Sequence, residues 1–149
     1  MINCIIIDDE TKNIQLLKNM LETHCPSVNL LATDNDAKNG LLLIGELQPQ
    51  LVFLDVEMPH LNGFDMLKQL EPVNFETIFV TAYSHYAVEA FEHHDTGYIT
   101  KPINAEKLIT AVATATKKIE AKNIKQNLST FIEQNTKQAP PYKQPQSTS

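Results

Sequence analysis

Five side chains in this sequence are of types that handle phosphate and hard metal ions, and each closely follows a short apolar run. Asp8 and Asp9 come after Cys4-Ile5-Ile6-Ile7, and Asp55 comes after Leu51-Val52-Phe53-Leu54. Thr81 follows Thr77-Ile78-Phe79-Val80, and Lys101 follows Tyr98-Ile99-Thr100. Three carboxylates within a few ångströms repel, and some would take up protons unless a cation sat among them. Mg²⁺ suits such a set. It keeps several waters, takes one or two carboxylates and shares a phosphate oxygen, whereas an all-protein Ca²⁺ cage needs more oxygens than these residues offer. A hydroxyl and an ammonium beside the ion complete a cradle for a phosphoryl group. Aspartate is a nucleophile for phosphoryl transfer, giving an acyl phosphate, and Asp55 is the central carboxylate of the set. No GxxxxGK[ST] loop is present, so the phosphoryl donor is expected to be a partner or a small molecule. Taken singly, each residue has a plainer reading. Asp55 could be a turn residue or helix cap, Asp8 and Asp9 could cap a helix, Thr81 could satisfy backbone groups, and Lys101 could be a solvated amine.

The conjunction gains weight from the elements that must carry these residues. Residues 3–7, 28–33, 51–54, 77–80 and 98–100 read as five short strands, the central ones apolar enough to be buried on both faces. Between them lie helical patterns. Ile14, Leu17, Met20 and Leu21 recur at three and four, up to about His24 and Pro26. Leu41 to Leu47 closes a second helix after a cap within residues 34–36, and Gly40 and Gly45 each weaken it by roughly 1 kcal/mol. Phe64, Leu67 and Leu70 make a third helix after the turn at Pro59 and Gly63. Residues 85–94 make a fourth, weakly apolar one, ended by His93, His94, Asp95 and Gly97. Asn104 caps the last helix, striped by Leu108, Val112, Ala115 and Ile119. Alternating strands and helices predict an α/β fold, a doubly wound five-stranded parallel sheet of order 2-1-3-4-5 and flavodoxin-like topology. The acidic ends of strands 1 and 3 then flank one crevice at the carboxyl rim of the sheet.

Length and composition fit one such domain with a tail. The chain has 149 residues, 42% of them apolar. Its formal charge is -6, with no arginine, which argues against nucleic-acid binding by the chain as a whole. Residues 1–121 carry net -9 and residues 122–149 net +3. Cys4 and Cys25 have neither disulfide nor zinc spacing. No signal-peptide pattern and no run of 18 apolar residues occurs, so a cytoplasmic protein with no membrane partner is expected. Beyond about Lys122, the residues Ile124, Leu128, Phe131 and Ile132 could continue the last helix with a rotated apolar stripe. After Asn135 the composition is that of an unstructured linker. His85, His93 and His94 span a short helix and a turn and read as solvated surface rather than a metal site.

Four separated stretches, in order, resemble the response regulator receiver domain: Ile7-Asp8-Asp9-Glu10, Leu54-Asp55-Val56-Glu57-Met58-Pro59 with Gly63, Val80-Thr81-Ala82, and Tyr98-Ile99-Thr100-Lys101-Pro102. The resemblance covers residues 1–121 and leaves 122–149 as a helix extension and a partly disordered linker or tail. It implies that Asp55 accepts phosphate from a histidine kinase with Mg²⁺, or Mn²⁺ in its place. The metal would be held by the side chains of Asp9 and Asp55, by the Glu57 carbonyl, and by Asp8 through water. Thr81 and Lys101 would contact phosphoryl oxygens, Thr81 and Tyr98 would act as the switch, and Lys101-Pro102 would be cis. The face made by the fourth helix, fifth strand and fifth helix would be remodelled, with a homodimer forming on activation. Glu57 and Tyr83, beside the acceptor, would tune the lifetime of the acyl phosphate. Activity would be confined to phosphorylation and dephosphorylation of its own Asp55, with no enzyme turnover of other substrates. The wording from Thr81 to Phe91 resembles receivers that precede a LytTR-type DNA-binding domain. DNA would then be reached only through an output part outside these residues; a free-standing receiver is the alternative.

Two other classes remain open on sequence. A phosphohydrolase of the haloacid dehalogenase kind also uses an Asp nucleophile with Mg²⁺, but it wants a second Asp where Glu57 stands. A receiver-like module that never takes phosphate would work as a docking surface, and the full acidic set argues against it.

Overall fold

The computed structural model describes residues 1–82 and 97–138. Five parallel strands, β1 (Ile2–Ile7), β2 (Val28–Asp34), β3 (Leu51–Leu54), β4 (Glu76–Thr81) and β5 (Gly97–Thr100), pair in the order β2-β1-β3-β4-β5. The described helices are α1 (Thr11–His24), α2 (Ala37–Leu47), α3 (Gly63–Gln69) and α4 (Ala105–Gln138). This is the predicted doubly wound architecture. The expected helix over residues 85–94, with its three histidines, lies outside the described residues, as does Tyr83.

The strands were readable because both of their faces are covered. Odd and even positions of β1 and β3 enter two different cores. Cys4, Ile6, Leu51 and Phe53 pack with α1 and with Leu108, Val112, Ala115 and Ile119 of α4. Ile5, Ile7, Val52 and Leu54 pack with α2 and α3. Side chains alternating between two covered faces leave no polar positions in the run. β2 sits at the sheet edge, and its alternate residues are exposed.

The element ends differ from the sequence reading in instructive ways. α2 begins at Ala37, capped by Asp36, whose carboxylate accepts from Asn39 N. Gly40 is not merely a weak helix residue. A Cβ there would lie 2.6 Å from Ile7 Cδ1, so the glycine lets α2 approach β1. Gly97, expected to end a helix, is the first residue of β5 and pairs with Ile78. Two X-Pro bonds are cis, Glu71-Pro72 and the expected Lys101-Pro102. Residues 136–138, assigned by composition to a tail, are helical. Residues 120–138 contain neither Gly nor Pro, so nothing local stops α4 before its last residue.

The chain divides into two compact units, Met1–Ile119 and Glu120–Ser149. The first holds the sheet and both cores. In the second, every residue over 120–136 is exposed.

Candidate phosphoryl-acceptor site

The strand ladder continues one residue past several strands, and this places the chemistry. Asp8 N donates to Asp34 O at 3.1 Å, Asp55 N to Ile7 O at 3.0 Å, and Lys101 N to Thr81 O at 2.8 Å. Asp8, Asp55 and Lys101 therefore stand on backbone fixed by the sheet rather than on free loops. Asp8, Asp55 and Thr81 are buried, at 4%, 6% and 0% exposure, in a chain whose only other buried polar residue among those described is Thr77. Buried charges are rare unless paired, so this rim is the anomaly of the fold.

Lys101 supplies the pairing. Its Nζ lies 2.8 Å from Asp8 Oδ2 and 3.3 Å from Asp55 Oδ2. Each carboxylate also receives a backbone amide, Glu10 N on Asp8 Oδ1 at 2.9 Å and Glu57 N on Asp55 Oδ1 at 3.3 Å. The plain reading of Asp8 as a cap of α1 does not hold, since that helix has no side-chain cap. One Asp8 oxygen holds the turn into α1, while the other faces the ammonium.

The electrostatics show a site short of positive charge. Burial pushes the Asp55 carboxyl up to about 6 from an ordinary 3.8. Lys101 opposes that rise, the Asp8 charge adds to it, and Thr81 favours the ionised form. Asp9, half-buried, is also raised, first by burial and then by Asp8. Burial would lower Lys101, but its contacts with Asp8 and Asp55 outweigh that and leave its pKa raised. Asp8, Asp9 and Asp55 each bring one oxygen within 4.8 Å of the others. Three hard oxygen donors, two with their charge incompletely compensated, fit a divalent ion of the Mg²⁺ or Mn²⁺ kind. Thr81 Oγ1 is buried with no hydrogen-bond partner among the described residues. It lies close enough to Asp55 to favour the carboxylate, and a rotating hydroxyl of this kind can donate to a nearer acceptor.

The remaining expected residues fall around this centre. Glu57 is exposed and contributes its amide to Asp55. Tyr98 is half-buried on β5, its ring centroid 6.5 Å from that of Phe79. Two features were not read from sequence. Gly63, read as a turn and motif residue, opens α3 directly against Asp55: a Cβ there would lie 2.6 Å from the Asp55 carbonyl oxygen. The ammonium shared between Asp8 and Asp55 depends on the register of three strands, which no local pattern reveals.

Residues 4–113 match the response regulator receiver domain. Over 113 residues the chain is 35% identical to an uncharacterised response regulatory protein of Vibrio cholerae, covering 75% of this chain and 47% of that one. It is 33% identical to the transcriptional regulatory protein BtsR of Escherichia coli K12 over 109 residues, 72% of this chain and 45% of the relative. The chain spans about half the length of these curated relatives. Among solved structures, the response regulatory domain of mrkE from Klebsiella pneumoniae superposes with a TM-score of 0.71 at 26% identity, covering 80% of this chain and 98% of that one. Because the matched residues run through every strand that carries the site, the chain belongs to the response regulator receiver domain family.

Proposed function

We propose that Asp55 is a phosphoacceptor, taking a phosphoryl group from a histidine kinase and thereby switching the surface that a signalling output reads. The observation that carries this reading is the Lys101 ammonium held between two buried carboxylates, with the buried Thr81 hydroxyl on the neighbouring strand. In the transfer, an Asp55 carboxylate oxygen forms a bond to phosphorus as the phosphohistidine P–N bond breaks, its electron pair returning to the imidazole. Asp55 must be ionised to attack, and above about pH 6 it is. Lys101 stands where negative charge develops and Thr81 can donate to a phosphoryl oxygen; both act by position and charge rather than by proton transfer. Mg²⁺, held by Asp8, Asp9 and Asp55 with the Glu57 carbonyl, would neutralise charge on the carboxylates and the incoming phosphate.

Once phosphorylated, Thr81 moves toward the phosphate and Tyr98 follows inward, a two-state equilibrium biased by one covalent charge. Glu57 and Tyr83 match, in sequence, the variable family positions that control water's approach to the acyl phosphate, so Glu57→Ala and Tyr83→Ala change its decay rate. The activity is confined to this self-modification. The output is transcription control of LytTR type through a further part of a longer cytoplasmic protein; likeness over 109 residues to 45% of a transcriptional regulatory protein supports the transcriptional part of this reading. Among the described residues no helix is long and apolar enough to cross a membrane.

Intact-mass measurement with acetyl phosphate and Mg²⁺ tests the acceptor. The wild-type chain is expected to gain one phosphoryl group and Asp55→Asn none. Labelling that survives Asp55→Asn, or a wild type that takes none, overturns the assignment.

A further inference from the structure

The second unit presents a feature that phosphoryl chemistry does not use. Ile124, Leu128, Phe131 and Ile132 are 69%, 57%, 63% and 55% exposed on a helix exposed at every position over 120–136. The stretch continues a helix that is already nucleated, but its own turns bury no apolar face, from which most helical stability comes. Ile124 follows Ile119 by five residues, out of step with the stripe Leu108, Val112, Ala115, Ile119 that already packs in the core. The exposed stripe therefore serves a different partner.

Its spacing says which kind. Positions 121, 124, 128, 131 and 135 alternate steps of three and four, the a/d repeat of a left-handed coiled coil. Ala121, Leu128 and Asn135 take position a, Ile124 and Phe131 take position d, and Ile132 falls at e, flanking the seam. Glu120 then falls at g and Lys125 at the following e. In a parallel in-register pair, g of one helix faces that e of the other, so Glu120 meets Lys125 twice, with opposite charges. An antiparallel pair sets e against e and g against g and loses both contacts. Asn135 points the same way, since one buried asparagine at a fixes register and favours two strands at some cost in stability.

We infer that residues 120–138 are a homodimerisation element, forming a short parallel two-stranded coiled coil with a second copy of this chain. With about two and a half heptads and one polar core position the pair is weak, and it associates without phosphate at Asp55.

Sedimentation equilibrium of the 149-residue protein from about 10 µM to about 1 mM, without phosphoryl donor, reads the association. The expected result is a concentration-dependent dimer that Asp55→Asn leaves unchanged and Leu128→Glu with Phe131→Glu abolishes. Asn135→Leu should tighten it by ~10-fold. Single cysteines at Ile124→Cys and at Asn135→Cys should each form same-site disulfides on oxidation; native Cys4 and Cys25 are buried. Both Glu-substituted positions are exposed, and an unchanged far-ultraviolet spectrum and unfolding midpoint of the sheet domain will show that the variant folds. A wild type that stays monomeric to ~1 mM overturns the proposal, including the case in which a further part of the same protein covers the stripe. A dimer that survives the double Glu variant places the interface elsewhere, and cross-linking only between position 124 and position 135 overturns the parallel register.

Discussion

The strand rim and the extension helix invert the usual placement of residues in opposite senses. At the rim, Asp8, Asp55 and Lys101 bring charge into burial; along residues 124–132, large apolar side chains stand in water. The two anomalies differ in how far the chain resolves them by itself. The rim is largely compensated from within, because Lys101 answers two carboxylates and backbone amides from Glu10 and Glu57 answer their other oxygens. The extension finds no cover over residues 120–136. Disturbing the rim should therefore cost stability in the isolated chain, while disturbing the extension should cost almost none.

The largest effect is expected at Lys101. Lys101→Ala leaves Asp8 and Asp55 buried without their cation, which should cost about 3 kcal/mol in urea unfolding at pH 8 without metal. The loss should shrink at pH 5, where Asp55 carries its proton, and on adding Mg²⁺. An equal loss under all three conditions would mean that the lysine matters for packing and not for charge.

Gly63→Ala comes next. The new methyl meets backbone rather than a movable side chain, so α3 or the acceptor must shift; the expected cost is ~2 kcal/mol, with slower acetyl-phosphate labelling. Labelling at the wild-type rate would show that the acceptor tolerates displacement.

The pH profile of the metal-free protein sharpens the comparison further. Asp55 takes its proton near pH 6 when folded and near 3.8 when unfolded, so between these values the folded state holds more protons. Stability therefore falls as pH rises through that window, by on the order of 2–3 kcal/mol, and Asp55→Asn should flatten the fall. A profile rising from pH 4 to pH 6 in the wild type and unchanged by the variant would contradict the burial argument. Smallest of all, Leu128→Glu should move the unfolding free energy of dilute protein by less than about 0.5 kcal/mol. A larger loss would mean that the stripe is covered within one chain.

How much of this was legible depended on whether a signal is local. β3 could be read from four apolar residues because both sheet faces are covered, and Asp55 and Lys101 because each follows its strand directly. Strand ends were blurred at Glu76 and Gly97, where pairing continues into residues with no apolar signature. The role of Gly40 was hidden, since its reason is Ile7, which is 33 positions away in the chain. The Lys101–Asp8 contact joins residues 93 apart, and only the parallel order of the strands brings them together.

The hydrogen bonds that run one residue past the strands have a consequence for how such a domain can change. Neighbouring strands lie about 4.8 Å apart, and Asp8, Asp55 and the Lys101 backbone are tied into that lattice. The pitch of the sheet is thus the ruler that sets the spacing of these side chains. Surrounding loops can diverge while that spacing stays the same, because a loop substitution does not stretch the lattice beneath it.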